Sequence, residues 1–274
     1  MRTTRTLCIA TAMTAALAAL SACSASTEKA ATGAAKSAVA TVADAMSLTT
    51  KTTAGYTSSK VKMTMVIPTA GTMTMSGSMS RNPIAVDLTM NTAQLPDGMH
   101  LLMSGATEYI NMGAAGAKQF SGKHWLKIDF ASLGAQGKAL ADSLNKSGGQ
   151  DPSTAVKLMT SSGDIKRVGQ ETVDGVSTTR YSGTVDIAKL AAAADPAFKS
   201  LIDQETKLGM STETVDMWVN DQNLPVKVHE TAATAKGTMD ITIQYSDFGN
   251  TPVQITVPPA GDTTDLGSLM KSTG

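Results

Sequence analysis

The sequence predicts an α+β protein with one large antiparallel β-sheet and a few short helices against the apolar face of that sheet. Apolar and polar residues alternate in successive short runs, which is typical of strands with one face in the core and one in water. Asp174-Gly175 is a strong two-residue hairpin signal, and Asp151-Pro152 predicts the start of a short helix. These signals predict about ten or eleven strands and three or four helices.

The first predicted hairpin carries its apolar residues at odd positions. The stretch from Lys62 to Ser80 places methionine at positions 63, 65, 73, 75 and 79. Side chains two residues apart on a strand lie on the same face, so pairing odd residues with odd ones gives one apolar face. In that register Gly77 either lets the sheet bend or leaves room opposite Met63. The favoured pairs are Ile67 with Met73, Met65 with Met75, Met63 with Gly77, and Val61 with Met79.

The same apolar face continues through the following strands. A four-residue loop from Ser80 to Pro83 would pair Met79 with Ile84 and move the apolar residues to even positions. The opposite face is rich in Thr, Ser, Lys, Asp and Asn, as expected for contact with water. The residues predicted to line the apolar face are Val61, Met63, Met65, Ile67, Met73, Met75, Met79, Ile84, Val86, Leu88, Met90, Leu101, Met103, Ile110 and Met112.

The second half of the chain predicts the remaining strands and helices. Strands are expected at residues 166–173, 176–185, 215–219, 224–231, 239–245 and 253–257. Helices are expected after Asp151 and at residues 187–194 and 197–204, where Asp186 and Asp195 act as N-caps.

The N-terminus predicts an export signal that ends in a lipobox. Arg2 and Arg5 precede an uncharged apolar stretch of 14 residues, and Leu20-Ser21-Ala22-Cys23 follows directly. The stretch is shorter than the roughly 20 residues that a membrane span needs. We therefore expect residues 1–22 to be a lipoprotein signal peptide and Cys23 to carry a diacylglyceryl group and palmitate. The alternative is an ordinary secretory signal with a chance cysteine.

The mature chain is expected to divide into a tether, one domain and a tail. Residues 23–45 are mostly Ala, Thr, Ser, Gly and Lys and predict a flexible tether, residues 46–258 carry the sheet pattern, and residues 259–274 are expected to be disordered. Without Arg2 and Arg5 the chain has 21 Lys and Arg against 23 Asp and Glu, which disfavours nucleic acid as a partner. Cys8 leaves with the signal, so no disulfide is expected.

The sequence gives no sign of an enzyme. It has no GxSxG, HExxH, P-loop or dinucleotide-binding motif, and His100, His124 and His229 are scattered. We therefore expect no catalytic residues and no cofactor, and we interpret His124 as a rim or surface residue. Trp125 and Trp218 fit either the mouth of a cavity or the buried core.

Three interpretations of the methionine-rich face remain open from the residues alone. Methionine is a common gap filler, so the face can be packed core. It can also be the wall of a cavity for variable apolar ligands, because unbranched thioethers repack easily. Thioethers bind Cu(I) as well, but strand residues two apart lie about 7 Å from each other and no histidine is interleaved from position 63 to 79, which disfavours a metal site.

Four motifs, taken together, resemble those of a known family. They are the lipobox and the segments KHWLKID at 123–129, VDGVSTTRYSGTVD at 173–186 and MWVNDQNLP at 217–225. In this order they resemble the LppX/LprG group of actinobacterial cell-envelope lipoproteins, over roughly residues 47–258. The resemblance implies a half-barrel similar to the LolA and LolB carriers: one strongly curved antiparallel sheet with short helices on its concave face. It also implies an acylated lipid or glycolipid between sheet and helices, with no motif that fixes the headgroup.

Two functional hypotheses follow from the sequence. The first is a monomeric lipoprotein on the extracytoplasmic face of the cell membrane that binds an acylated lipid or glycolipid and carries or presents it in the envelope. The second is a ligand-free envelope lipoprotein with a closed core that acts as an interaction or sensor domain.

Overall fold

The structure is a computed structural model that describes residues 42–111, 113–134, 137, 152–161, 164–188 and 209–272. These residues form one open sheet of twelve strands with a few helices. The order of the strands across the sheet is β12-β6-β5-β4-β3-β2-β1-β11-β10-β9-β8-β7, and β12 alone runs parallel to its neighbour. The strands are β1 Ser58–Ile67, β2 Gly71–Arg81, β3 Ile84–Thr92, β4 Leu95–Ser104, β5 Thr107–Asn111, β6 Trp125–Asp129, β7 Lys166–Val173, β8 Val176–Asp186, β9 Thr212–Asn220, β10 Pro225–Thr234, β11 Gly237–Gly249 and β12 Thr263–Asp265.

Few helices accompany the sheet in the described part of the chain. They are α1 at residues 42–54, α2 Gly113–Ala117, α3 Pro152–Ser161 and α4 Leu266–Ser272, with 3-10 turns at Phe130–Leu133 and Ala260–Asp262. None of these helices is both long and apolar enough to cross a bilayer. The predicted α+β class, a curved half-barrel sheet with little helix, is confirmed, with twelve strands where about ten or eleven were expected. Asp151 and most of the predicted helices at 187–194 and 197–204 lie outside the described residues.

A continuous row of apolar side chains crosses eight neighbouring strands. Directly paired residues of adjacent strands lie on the same face, so the pairing can be followed from β8 to β4. The row is Tyr181, Met217, Val228, Ile243, Met63, Met75, Met90 and Met99. We call the side of the sheet that carries this row the methionine face and the opposite side the polar face.

The register of the first two hairpins differs from the prediction by two residues. Met63 pairs with Met75, and Gly77 pairs with Val61, because the first turn contains only residues 68–70. The second turn contains only residues 82–83, so the predicted four-residue loop is wrong and Met79 pairs with Val86. A shift of two leaves every side chain on its predicted face, and the parity of the prediction therefore holds.

The helices α1 and α3 pack on the methionine face and complete the core. Met46 of α1 and Val156 and Met159 of α3 are fully buried in the same cluster as Met63 and Met217. The C-terminal end of α1 is held by β2, since the Arg81 guanidinium donates to the carbonyls of Thr53, Ala54 and Tyr56. A cation at this position also complements the helix dipole.

The segment from Asn250 to Asp262 connects β11 with β12 at the far edge of the sheet. Seven strand spacings of about 4.8 Å separate these strands, a path of about 34 Å that 13 residues cover only when largely extended. The Val253 amide donates to Ser80 Oγ at 3.2 Å, which places the segment against the polar face. The strand predicted at 253–257 is therefore wrong, because this stretch forms no ladder and crosses the sheet instead.

The C-terminal residues also differ from the expected disordered tail. Residues 263–265 form β12 beside β6, and α4 follows as far as Ser272. Lys127 Nζ forms a salt bridge with Asp265 Oδ2 at 3.3 Å, and Lys123 Nζ donates to the Thr263 carbonyl at 3.1 Å. These contacts tie the tail to β6 and extend the domain beyond residue 258. At the other end, residues 42–54 are helical, so the tether boundary predicted at 45 falls within a helix.

Truncation of Met46 should show how far the sheet depends on α1. Met46 is completely buried, so Met46→Ala should lower the free energy of unfolding by about 2–5 kcal/mol through lost contacts and a cavity. Leu48 lies on the same helix with 47% of its surface exposed, so Leu48→Ala should change stability by less than about 0.5 kcal/mol. Urea denaturation measures both values, and equal losses would contradict the packing described for α1.

Candidate functional site

The predicted lining residues lie together on the methionine face, and their burial divides them into two groups. Val61, Met63, Met79, Leu88 and Met103 are buried, at 9% exposure or less. The half-buried residues are Met65, Ile67, Met73, Met75, Ile84, Val86, Met90, Leu101 and Ile110. Met112 lies outside the described residues.

Burial along the apolar row changes from one end to the other. Met217, Val228, Ile243 and Met63, on the central strands β9 to β1, are at most 6% exposed. Met75, Met90 and Met99, on β2 to β4, are only half-buried. Among the described residues, the methionine face is therefore packed core from Met63 to Met217, whereas Met75, Met90 and Met99 are only partly covered, although Met79, Leu88 and Met103 on the same three strands are buried.

Gly77 has a structural role that differs from the one expected. It faces Val61 and not Met63, and a Cβ atom built on it would lie 1.9 Å from the Asp87 carbonyl oxygen of β3. The glycine therefore permits a close approach of β2 and β3 backbones.

Glu108 is a carboxyl group on the methionine face that the sequence analysis missed. It pairs with Met103 on one side and Ile128 on the other, and the structure gives it no hydrogen-bond or ionic partner among the described residues. Burial raises the pKa of Glu108 because the charged form loses water. The sequence did carry a signal for this position: Glu108 lies two residues before Ile110 in the same predicted strand, so both side chains are expected on the same face of the sheet.

The polar face carries both tryptophans, so neither marks the mouth of a cavity on the methionine face. Trp218 is 5% exposed, donates from Nε1 to Glu171 Oε2 at 2.7 Å, and lies between Arg180 and Lys227, whose cationic groups are 5.1 and 4.4 Å from its ring. The hydrogen bond from Trp218 and the nearby guanidinium lower the pKa of Glu171. Trp125 is half-buried, 5.5 Å from the His100 ring.

Each of the three histidines contacts a different aspartate. His100 Nε2 is 2.7 Å from Asp87 Oδ1, and His229 Nε2 is 2.9 Å from Asp240 Oδ2. Both contacts join neighbouring strands on the polar face. His124 is exposed, as expected, and its Nδ1 lies 2.8 Å from Asp262. Hydrogen bonds from His124 lower the pKa of Asp262. The histidines therefore lie in three separate places.

A cavity of about 880 Å³ lies on the polar face, away from the predicted lining. Its side chains come mainly from the even-numbered residues of β1, β2 and β11 and from the turns of the β7–β8 and β9–β10 hairpins. The predicted lipid cavity on the methionine face stays a prediction.

Two curated proteins are related in sequence, whereas no protein-family model matches the chain. An uncharacterized 31.2 kDa protein of Streptomyces griseus is 40% identical over 177 residues, which are 61% of this chain and 56% of that protein. A protein of Streptomyces coelicolor named "Putative lipoprotein" is 34% identical over 170 residues, 61% of this chain and 50% of that protein. The chain spans about half the length of the curated relatives it matches.

Solved structures with a similar fold include LppX of Mycobacterium tuberculosis and LprF of Mycobacterium bovis. LppX is 16% identical with a TM-score of 0.48, over 78% of this chain and 97% of LppX. LprF is 16% identical with a TM-score of 0.47, over 79% of this chain and 96% of LprF. Both belong to the lipoprotein group that the sequence motifs indicated.

The half-buried carboxyl of Glu108 should make stability depend on pH. Because its pKa is raised, Glu108 supports folding fully at acidic pH, and this support is lost as the pH rises through the raised pKa. Glu108→Gln is neutral throughout, so it should be more stable than the parent protein at about pH 7.5 and nearly equal at about pH 4. Urea titrations at both pH values test this, and identical pH profiles of the two proteins would contradict it.

Proposed function

We propose that this chain is a lipid-anchored envelope lipoprotein that binds the acyl chains of a lipid or glycolipid on the methionine face. The observation that carries the proposal is the change in burial along that face. Met75, Met90 and Met99 lie half-buried beside a packed core to which Met63 and Met217 belong. Partly covered apolar side chains on the helix-bearing side of a sheet offer surface that an acyl chain can cover.

Methionine suits this task because its side chain adapts to different shapes. An unbranched thioether changes rotamer without a branched carbon to clash, so a methionine wall accepts chains of varied length and unsaturation. Transfer of a 16-carbon chain from water to such a wall is worth about 12 kcal/mol, at about 0.8 kcal/mol per methylene. A bilayer offers the same gain, so the protein would exchange lipid with membranes at little net free energy.

Membrane attachment is the second part of the proposal. Cys23 follows Leu20-Ser21-Ala22 at the end of the apolar leader, and the relative from Streptomyces coelicolor bears a lipoprotein name. Two or more acyl chains on Cys23 hold a protein stably on a bilayer, whereas one chain is marginal. The domain would then act at the extracytoplasmic face of the cell membrane, without catalysis and as a monomer.

A closed core is the second candidate, favoured by the burial of part of the predicted lining. Val61, Met63 and Leu88 are at most 8% exposed and belong to the core cluster with α1 and α3. If the half-buried methionines are also packed when no ligand is bound, the domain serves as an interaction or sensor module. Lipid uptake separates the two candidates.

Charge substitution on β2 tests the lipid site. Met75→Asp, at a half-buried position, should reduce uptake of a fluorescent fatty acid at least about tenfold while the protein stays folded, because a carboxylate in the acyl path must be desolvated. Thr74→Asp on the same strand points to the polar face and should leave uptake unchanged. Met63→Asp, at 3% exposure, should unfold the domain. A folded parent protein that takes up no fatty acid would support the closed core instead.

Substitution of Cys23 tests the anchor independently of the lipid site. The parent protein made in an actinobacterial host should incorporate radiolabelled palmitate and partition into the detergent phase of Triton X-114. Cys23→Ser should remove the label and move the protein to the aqueous phase, since the acyl chains have no other attachment. Equal labelling of the two proteins would refute lipidation at Cys23. Cys8→Ser is the matched control and should keep the label.

A further inference from the structure

The cavity on the polar face has a wall built by the tip of the β7–β8 hairpin. Strands β9 and β10 lie between this hairpin and β11, yet the Asp174 carboxylate accepts a hydrogen bond from Gln244 Nε2 of β11 at 2.6 Å. The hairpin tip therefore reaches past β9 and β10 to β11. The Asn220 side chain closes the β9–β10 hairpin by accepting from the amides of Gln222 and Leu224. The result is a groove with hydrogen-bonded strands and turns on its sides.

The charges in this groove balance. Lys60 and Lys62 are its cationic lining residues, and Asp174 and Asp247 are its carboxylates. Lys60 is already bound to Asp247 at 2.7 Å, and this contact raises the pKa of Lys60. A groove without excess charge gives no electrostatic preference for an anion or a cation, so its complement is an uncharged ligand.

The groove also offers hydrogen-bonding groups that the protein does not use itself. The side chains of Ser76, Ser78, Gln222 and Ser246 line it, and none of them has a side-chain hydrogen bond within the described part of the chain. Hydroxyl and amide groups both donate and accept, which matches the hydroxyl groups of a sugar. Tyr56 contributes an aromatic ring at one end, packed edge-on against Phe248 at 5.8 Å.

We propose that this groove binds a short uncharged oligosaccharide. The volume of about 880 Å³ lies within the range of about 300–1,000 Å³ for small-molecule sites, and the apolar parts of Val173, Val176 and Tyr56 can cover the non-polar faces of sugar rings. Most of the polar side chains that line it lie on the opposite side of the sheet from the methionine face, so the groove is a separate site from the proposed lipid site.

Titration with neutral trisaccharides tests the groove. Maltotriose, mannotriose and N,N′,N″-triacetylchitotriose are titrated into the full chain carrying Cys23→Ser by saturation-transfer NMR and calorimetry. At least one should bind with a Kd of about 1 mM or lower, and glucose 6-phosphate should bind more weakly than that sugar. Absence of binding by all three at about 10 mM, or tighter binding of glucose 6-phosphate, would overturn the proposal.

A matched pair of substitutions places the binding in the groove. Ser76→Trp fills the groove from an exposed position and should weaken sugar binding at least about tenfold. Thr74→Trp lies two residues away on the same strand and face, outside the groove, and should leave binding unchanged. If Ser76→Trp does not fold, Gln222→Ala in the exposed turn replaces it. Equal binding by the folded groove variant and Thr74→Trp would refute this location, whereas unchanged fatty-acid uptake by the groove variant is expected in either case.

Discussion

Alternation of side chains across the pleat is the constraint on which both faces of this protein depend. Eight neighbouring strands contribute one apolar residue each to a single row, and five of the eight are methionines. In most of these strands a shift of one residue would replace the member of the row by a polar neighbour and interrupt the core. The sheet can therefore keep a separate methionine face and polar face only if the register of every strand pair retains its parity.

The packing over that row is uneven, and the proposed function depends on this difference in burial. The helices α1 and α3 belong to the core cluster that includes Met63 and Met217, so this part of the row stabilises the fold. The half-buried methionines of β2 to β4 contribute less to stability and offer a soft apolar surface. Glu108 adds a desolvated carboxyl to the same face, which favours a neutral group at that point.

The polar face is more than a solvated surface. Residues 250–262 cross it, and Leu102 and Tyr109, which lie on this face by register, are at most 8% exposed. Trp218 is covered by Arg180 and Lys227 and fixed by Glu171. Beside these features the tip of the β7–β8 hairpin borders a groove. The two sides of the sheet thus offer an apolar surface and a polar surface.

By itself the sequence determined the class of the fold, the parity of the strands and the membership of the apolar face, because these follow from local alternation and turn residues. The predicted register was wrong by two, since Met63 opposite Met75 and Met63 opposite Gly77 both keep the face apolar, and the short turns at 68–70 and 82–83 select the pairing of Met63 with Met75. Only the tertiary structure showed the path of residues 253–257. Their apolar and polar side chains alternate as in a strand, but the segment crosses the polar face to reach β12. It alone also decided which methionines pack in the core cluster with α1 and α3, the lack of a hydrogen-bond partner for Glu108 among the described residues, and the polar groove, because these depend on contacts between residues far apart in the chain.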